Sequence, residues 1–132
     1  MGAIIFEELK TREIDGIPGL ITIIAQDALT NDVLMVAYAN KEAIEKTIET
    51  GKAHYFSTSR KKIWLKGESS GNVQNVKEIF VDCDGDALIY KIIEPNPACH
   101  KGYQSCFYRR IQDGTIRICQ DRKFNPKEVY KK

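Results

Sequence analysis

No apolar run in this 132-residue chain approaches the ~20 residues that a membrane span requires, so the sequence offers no transmembrane helix. Its start, Met1-Gly2-Ala3-Ile4-Ile5-Phe6-Glu7-Glu8, lacks the basic region and apolar core of a secretory signal. Gly2 invites a myristoylation reading, but Phe6 stands where that motif needs Ser or Thr. Charge of one sign is missing too. Twenty basic residues against eighteen acidic ones leave a formal net charge of +2, without the excess of a nucleic-acid-binding domain. Linkers, repeats and low-complexity stretches are absent, which leaves 1–132 as a single domain. With 42% hydrophobic residues the chain can build a core, which excludes a disordered polymer. The expectation is a cytoplasmic protein that binds neither membrane nor nucleic acid.

Four cysteines are present and none forms a C-x-x-C pair, which excludes zinc ribbons and thioredoxin-like redox motifs. In a reducing compartment they are thiols, not disulfides. Taken singly, each is more often a buried small hydrophobe than a ligand. Context separates them. Cys83 sits between acidic residues, a poor setting for a core. Cys99 follows Glu94-Pro95-Asn96-Pro97 and precedes His100, and Cys106 follows the turn-rich Gly102-Tyr103-Gln104-Ser105. Cys119 ends the run Ile116-Arg117-Ile118-Cys119 and reads as structural.

Three thiolates on zinc leave a fourth position for water, the arrangement of a catalytic site. They also outweigh the ion's charge, so a neighbouring base would help. His100 is the nearest in sequence; a polar loop residue is its equal alternative. Nucleic-acid deaminases need H-x-E followed by P-C-x-x-C. His54-Tyr55-Phe56 and Pro97-Ala98-Cys99-His100 do not supply it.

The chain reads as α+β, mainly antiparallel sheet with one main helix. Leu20 to Ala25 and Asp32 to Ala39 are β-branched or apolar, and the turn formers between them predict a hairpin. Asn40 caps a helix from Lys41 to Thr50, which Gly51 stops. Further strands are expected at Ala53 to Ser57, Lys62 to Leu65, Val76 to Asp82, Ala87 to Ile93, Ser105 to Ile111 and Thr115 to Cys119.

If the segment Val81-Asp82-Cys83-Asp84-Gly85-Asp86-Ala87 continues as a strand, Asp82, Asp84 and Asp86 fall on one side and Cys83 on the other. Carboxylates this close repel unless a cation lies among them, and hard oxygen ligands suit Mg²⁺ or Ca²⁺. A solvated acidic turn is the equal alternative. An EF-hand loop is excluded, because Ala87 and Ile93 stand where it needs Gly and Glu. The stretch from Ser57 to Asn72 mixes cations, hydroxyls and glycines. Such a set can hold phosphates, although it matches no Walker pattern and a solvated hairpin competes with that reading.

In order along the chain, these segments resemble the phosphoribosyl-AMP cyclohydrolases, histidine-biosynthesis enzymes that open the adenine ring of phosphoribosyl-AMP. The resemblance runs from about Ile21 to Arg110. It rests on Leu34-Met35-Val36-Ala37-Tyr38-Ala39-Asn40, Ser57 to Arg60, Trp64-Leu65-Lys66-Gly67-Glu68-Ser69-Ser70-Gly71-Asn72, Asp82 to Asp86, Cys99-His100-Lys101-Gly102 and Ser105-Cys106-Phe107.

The resemblance implies hydrolysis of the N1–C6 bond of 1-(5-phosphoribosyl)-AMP, by zinc-activated water, to the phosphoribosylformimino-imidazolecarboxamide ribotide. It implies Mg²⁺ on Asp82, Asp84 and Asp86. It also implies an intertwined homodimer with one zinc per subunit, Cys83 coming from one subunit and Cys99 and Cys106 from its partner. In that setting His100 is the catalytic proton carrier, and Arg60, Trp64, Lys66, Ser69 and Ser70 hold the substrate. Some members carry a fused phosphoribosyl-ATP pyrophosphohydrolase domain; a chain ending at Lys132 is expected to be monofunctional. Cys119 and the tail Phe124 to Lys132 lie outside the shared pattern. The rival from another class is a non-enzymatic zinc-stabilised binding module, which chelation would unfold and which would turn over no purine.

Overall fold

The computed structural model describes residues 7–129; the rest of the tail and residues 1–6, on which most of the targeting argument turned, lie outside the described residues. No helix among the described residues is long and apolar enough to cross a membrane. The order is β1 (Arg12–Ile14), β2 (Ile17–Asp27), β3 (Val33–Ala39), α1 (Lys41–Thr50), β4 (His54–Ser57), β5 (Lys62–Leu65), β6 (Asn75–Val81), β7 (Ala87–Ile93), β8 (Arg109–Gln112), β9 (Thr115–Ile118) and the short α2 (Pro126–Val129).

Seven strands form one sheet, ordered β5-β4-β3-β2-β7-β6 with β1 also paired to β2; β8 and β9 form a separate hairpin. β2 is central, and Leu20, Ile21, Ile23 and Ala25 are buried along it. Leu88, Tyr90 and Ile92 alternate into the same core from β7, in register Ile23↔Leu88 and Ala25↔Tyr90. The β2–β3 hairpin forms as its turn residues require. The Asp27 carboxylate accepts from the N–H of Leu29, and Asn31 takes a φ of 68°.

Helix α1 has the expected bounds. The Asn40 Oδ1 accepts from the Ala43 N–H at 2.9 Å, and Gly51 turns left-handed (φ 73°) to close the other end on the Thr47 carbonyl. Ala43, Ile44 and Thr47 are its buried residues. The Thr47 hydroxyl donates to the Ala43 carbonyl and accepts from the His54 N–H, each at 2.9 Å, which ties the helix to β4.

Four expectations change. The sheet is antiparallel-rich but mixed. After β5 the chain returns to the far edge for β6, and β7 then fits between β6 and β2, running parallel to β2. Ser105 to Tyr108 is not strand: the Cys106 N–H donates to the Leu34 carbonyl (2.7 Å) and the Ser105 hydroxyl to the Val33 carbonyl (2.8 Å), pinning the segment to the start of β3. Asp82 to Asp86 is the turn between β6 and β7, so strand alternation does not set where Cys83 points. Cys119 is exposed and fills no core.

Candidate functional site

Three segments meet at one cavity of about 330 Å³, within the size range of small-ligand sites. The β4–β5 turn contributes Arg60. Trp64 and Lys66 follow on and just beyond β5, and Ser69 and Ser70 come from the loop after them. His100 and Cys106 close it from the loop between β7 and β8. These seven residues, picked from separate stretches of sequence, are therefore neighbours in space. Trp64 leans on the buried Tyr55 with ring centroids 5.2 Å apart. Behind it the Tyr55 hydroxyl donates to Gln74, whose amide donates to the Met35 sulfur at 3.4 Å, and Met35 lines the cavity.

The loop after β5 is folded on itself. Gly71 N–H donates to the Gly67 carbonyl (2.8 Å), and Asn72 N–H to the Ser70 hydroxyl (3.2 Å). Gly67 lies at φ 92° with the Val73 backbone where a Cβ would be, so only glycine fits.

The loop that carries Cys99 is a second tight construction. Gly102 N–H donates to the Cys99 carbonyl (3.0 Å), and Lys101 N–H to the Cys99 sulfur (3.4 Å). Tyr103 and Tyr108 stack at 3.7 Å beside buried Cys99. Gly102 has φ 97°, and the Phe124 carbonyl occupies the place of its Cβ. A Gly102→Ala protein is expected to lose more than about 1 kcal/mol of stability, seen as a lowered thermal midpoint, because the new methyl must push away that strand of backbone.

Cys106 lies at the surface, yet surrounding protein mass pushes its thiol up to about 11, helped by Cys99 beside it and opposed by the Lys66 ammonium. A thiol that resists ionisation beside a second thiol is suited to a soft divalent cation, which inverts that balance by binding the thiolate. Cys83 does not join them within the chain. It lines a different surface concavity with Asp82, Asp84 and Lys10.

Among the described residues, Asp82, Asp84 and Asp86 are the one group of three or more His, Cys, Asp or Glu whose ligand atoms lie within 4.8 Å of one another. Their convergence comes from the turn. Asp82 Oδ1 accepts from the N–H groups of Asp86 and Ala87 at 3.0 and 3.2 Å. The Arg12 guanidinium grips Asp86 (2.6 Å) and holds its carboxyl below the usual range. Asp84 is held above it, first by hydrogen bonding to Asp86 and then to Asp82. Carboxylates crowded in this way fit a hard divalent cation, which offsets their repulsion.

The family model described as phosphoribosyl-AMP cyclohydrolase matches residues 35–108, which include every cavity residue above and both cysteine-bearing segments. The chain belongs to the phosphoribosyl-AMP cyclohydrolase family. Proteins named phosphoribosyl-AMP cyclohydrolase from Methanospirillum hungatei and Methanothermobacter thermautotrophicus are 60% and 56% identical to it, over 86% and 84% of this chain and 85% and 82% of theirs. One from Methanococcoides burtonii is 54% identical over 93% of this chain and 98% of its own.

Within this cyclohydrolase domain, the sequence reading passed over Met35 and Glu68, which also line the cavity, and Arg12, which faces the aspartates. Both cavity residues stood inside the quoted motifs but carried no separate signal. Glu68 is further engaged by the Leu65 N–H at 2.9 Å.

Proposed function

We propose that this chain is a phosphoribosyl-AMP cyclohydrolase that opens the adenine ring of 1-(5-phosphoribosyl)-AMP at the N1–C6 bond, in histidine biosynthesis. The observation that carries this reading is the single cavity into which Arg60, Trp64, Lys66, Ser69, Ser70, His100 and Cys106 converge in a member of that family. Cys99 and Cys106 would hold zinc together with Cys83 of a second subunit, in an intertwined homodimer. Asp82, Asp84 and Asp86 would hold Mg²⁺. When bound, zinc supplies Lewis acidity that brings the pKa of water at the site towards ~7.

The chain's own groups do the remaining work. Arg60, at the mouth, offers its planar fork to a phosphate, and the hydroxyls of Ser69 and Ser70 donate beside it. Trp64 supplies an apolar wall for the purine. Water adds at C6, the N1–C6 bond breaks, and C6 keeps the new oxygen as a carboxamide while N1 departs on the formimino arm. His100 takes the proton that the water loses and returns it to the departing nitrogen.

The test follows absorbance of phosphoribosyl-AMP with full-length protein, Zn²⁺ and Mg²⁺, with and without a chelator. Ring opening that chelation stops is expected; an intact substrate with the metal-loaded protein would discard the reading. Arg60→Ala is expected to raise KM by roughly 10–100-fold, the worth of a charge-assisted hydrogen bond, with kcat changed far less. Steady-state kinetics check this, and an unchanged KM would remove Arg60 from the phosphate site.

A further inference from the structure

Lys66 differs from the other cations near the cavity by its depth. Only 6% of it is exposed, whereas Arg60 lies at the surface. Lysine is seldom buried without a paired charge. Here the Nζ donates to the Ala98 carbonyl at 2.8 Å, one residue before Cys99, and the backbone N–H donates to the Ala53 carbonyl at 3.1 Å. An ammonium carries three donors. The other two meet no hydrogen-bond acceptor among the described residues. Among the described residues no carboxylate forms an ion pair with the group.

What lies near it is sulfur. Cys106 lines the same cavity as Lys66 and Ala98, and the carbonyl that the ammonium holds belongs to the residue just before Cys99. A buried cation with no anionic partner is costly; beside thiolates it gains one.

We propose that Lys66 is a positioning residue for the Cys99–Cys106 pair: its ammonium offsets the charge that three thiolates leave over a divalent ion, and its bond to Ala98 anchors the turn bearing Cys99 and His100. This rests on the zinc reading above and gives Lys66 a task separate from phosphate binding, which stays with Arg60, Ser69 and Ser70. It also explains why a lysine stands at the inner wall of the cavity, where a phosphate-binding cation would do better at the mouth.

The experiment is chelator competition for Zn²⁺, with no substrate present, on the full-length wild type, Lys66→Gln and Lys66→Arg, with circular dichroism to verify folding. Gln retains a donor for the Ala98 carbonyl and loses the charge. Its zinc affinity is expected to fall by about 10–100-fold, as for other groups just outside a metal's ligands. Arg keeps the charge and is expected to stay within about threefold of wild type. Equal affinity of Lys66→Gln and wild type overturns the inference, and so does an Arg variant as weak as the Gln one. If Lys66→Gln does not fold, the Arg variant decides: affinity within threefold supports the role, and a loss beyond about tenfold overturns it. A wild type that binds no zinc, or binds it equally after Cys106→Ser, overturns the zinc reading itself. That result is distinct from any failure confined to Lys66.

Discussion

Replacing Cys106 with serine is expected to empty the zinc site and lower turnover of phosphoribosyl-AMP by about a thousandfold or more, since a catalytic metal supplies several kcal/mol and each ~1.4 kcal/mol is a factor of ten. The fold should survive. Cys106 is at the surface, and its structural bond is the backbone N–H donated to Leu34, which serine keeps. What changes is the ligand: a thiolate is soft and accessible to zinc, whereas a serine hydroxyl neither ionises near neutrality nor suits the metal. Zinc content by elemental analysis and the initial rate are measured together. Full zinc with unchanged turnover would remove Cys106 from the site.

The same variant tests how the site is divided between subunits. Cys83 lines a concavity separate from the one that Cys106 borders. Cys83→Ser and Cys106→Ser proteins should each be inactive, but refolded together they can pair the intact Cys83 of one with the intact Cys99 and Cys106 of the other. Half the molecules would then carry one good site of two, so roughly a quarter of wild-type activity should return. No recovery would mean that the ligands are not shared in this way.

How much of this was legible in the sequence depended on the range of the interaction. Helix α1 was readable to the residue because Asn40 and Gly51 act within one turn of its ends. The β2–β3 and β4–β5 hairpins are local pairings with turn chemistry between them. The parallel β2–β7 pair joins residues 65 apart, such as Thr22 and Ala87, and no local pattern announces it. Ser105 to Tyr108 has strand-like composition but spends its hydrogen bonds on the start of β3.

At the site, the three aspartates were found for a reason the fold revised. Their convergence is made by a turn with Asp82 as its acceptor, not by strand alternation. Lys66 shows the other limit. The sequence names it only as one of several cations to hold the substrate, and its burial, with the ammonium donating to the Ala98 carbonyl, is a property of the fold. Cys99 and Cys106 were nameable as thiols from their context, but their proximity to each other is a property of the loop between them.

His100→Ala is expected to lower kcat by about 10²–10⁴-fold, the usual worth of a positioned acid–base group, with zinc retained. The turn that carries Cys99 does not need the imidazole: it is held by the Cys99 N–H to the Tyr103 carbonyl, the Gly102 N–H to the Cys99 carbonyl, the Lys101 N–H to the Cys99 sulfur and the Lys66 ammonium on Ala98, all independent of the residue 100 side chain. Alanine therefore removes the proton carrier and leaves the thiols in place. Ring opening needs a proton taken from water at C6 and one delivered to N1, and a single group beside both atoms can do the two jobs in turn. The loss should consequently fall on kcat, with KM nearly constant. Zinc lost along with activity would make His100 a ligand instead. An unchanged kcat would move the proton to another group at the cavity, and Glu68, whose carboxylate already lines it, is the one to replace next.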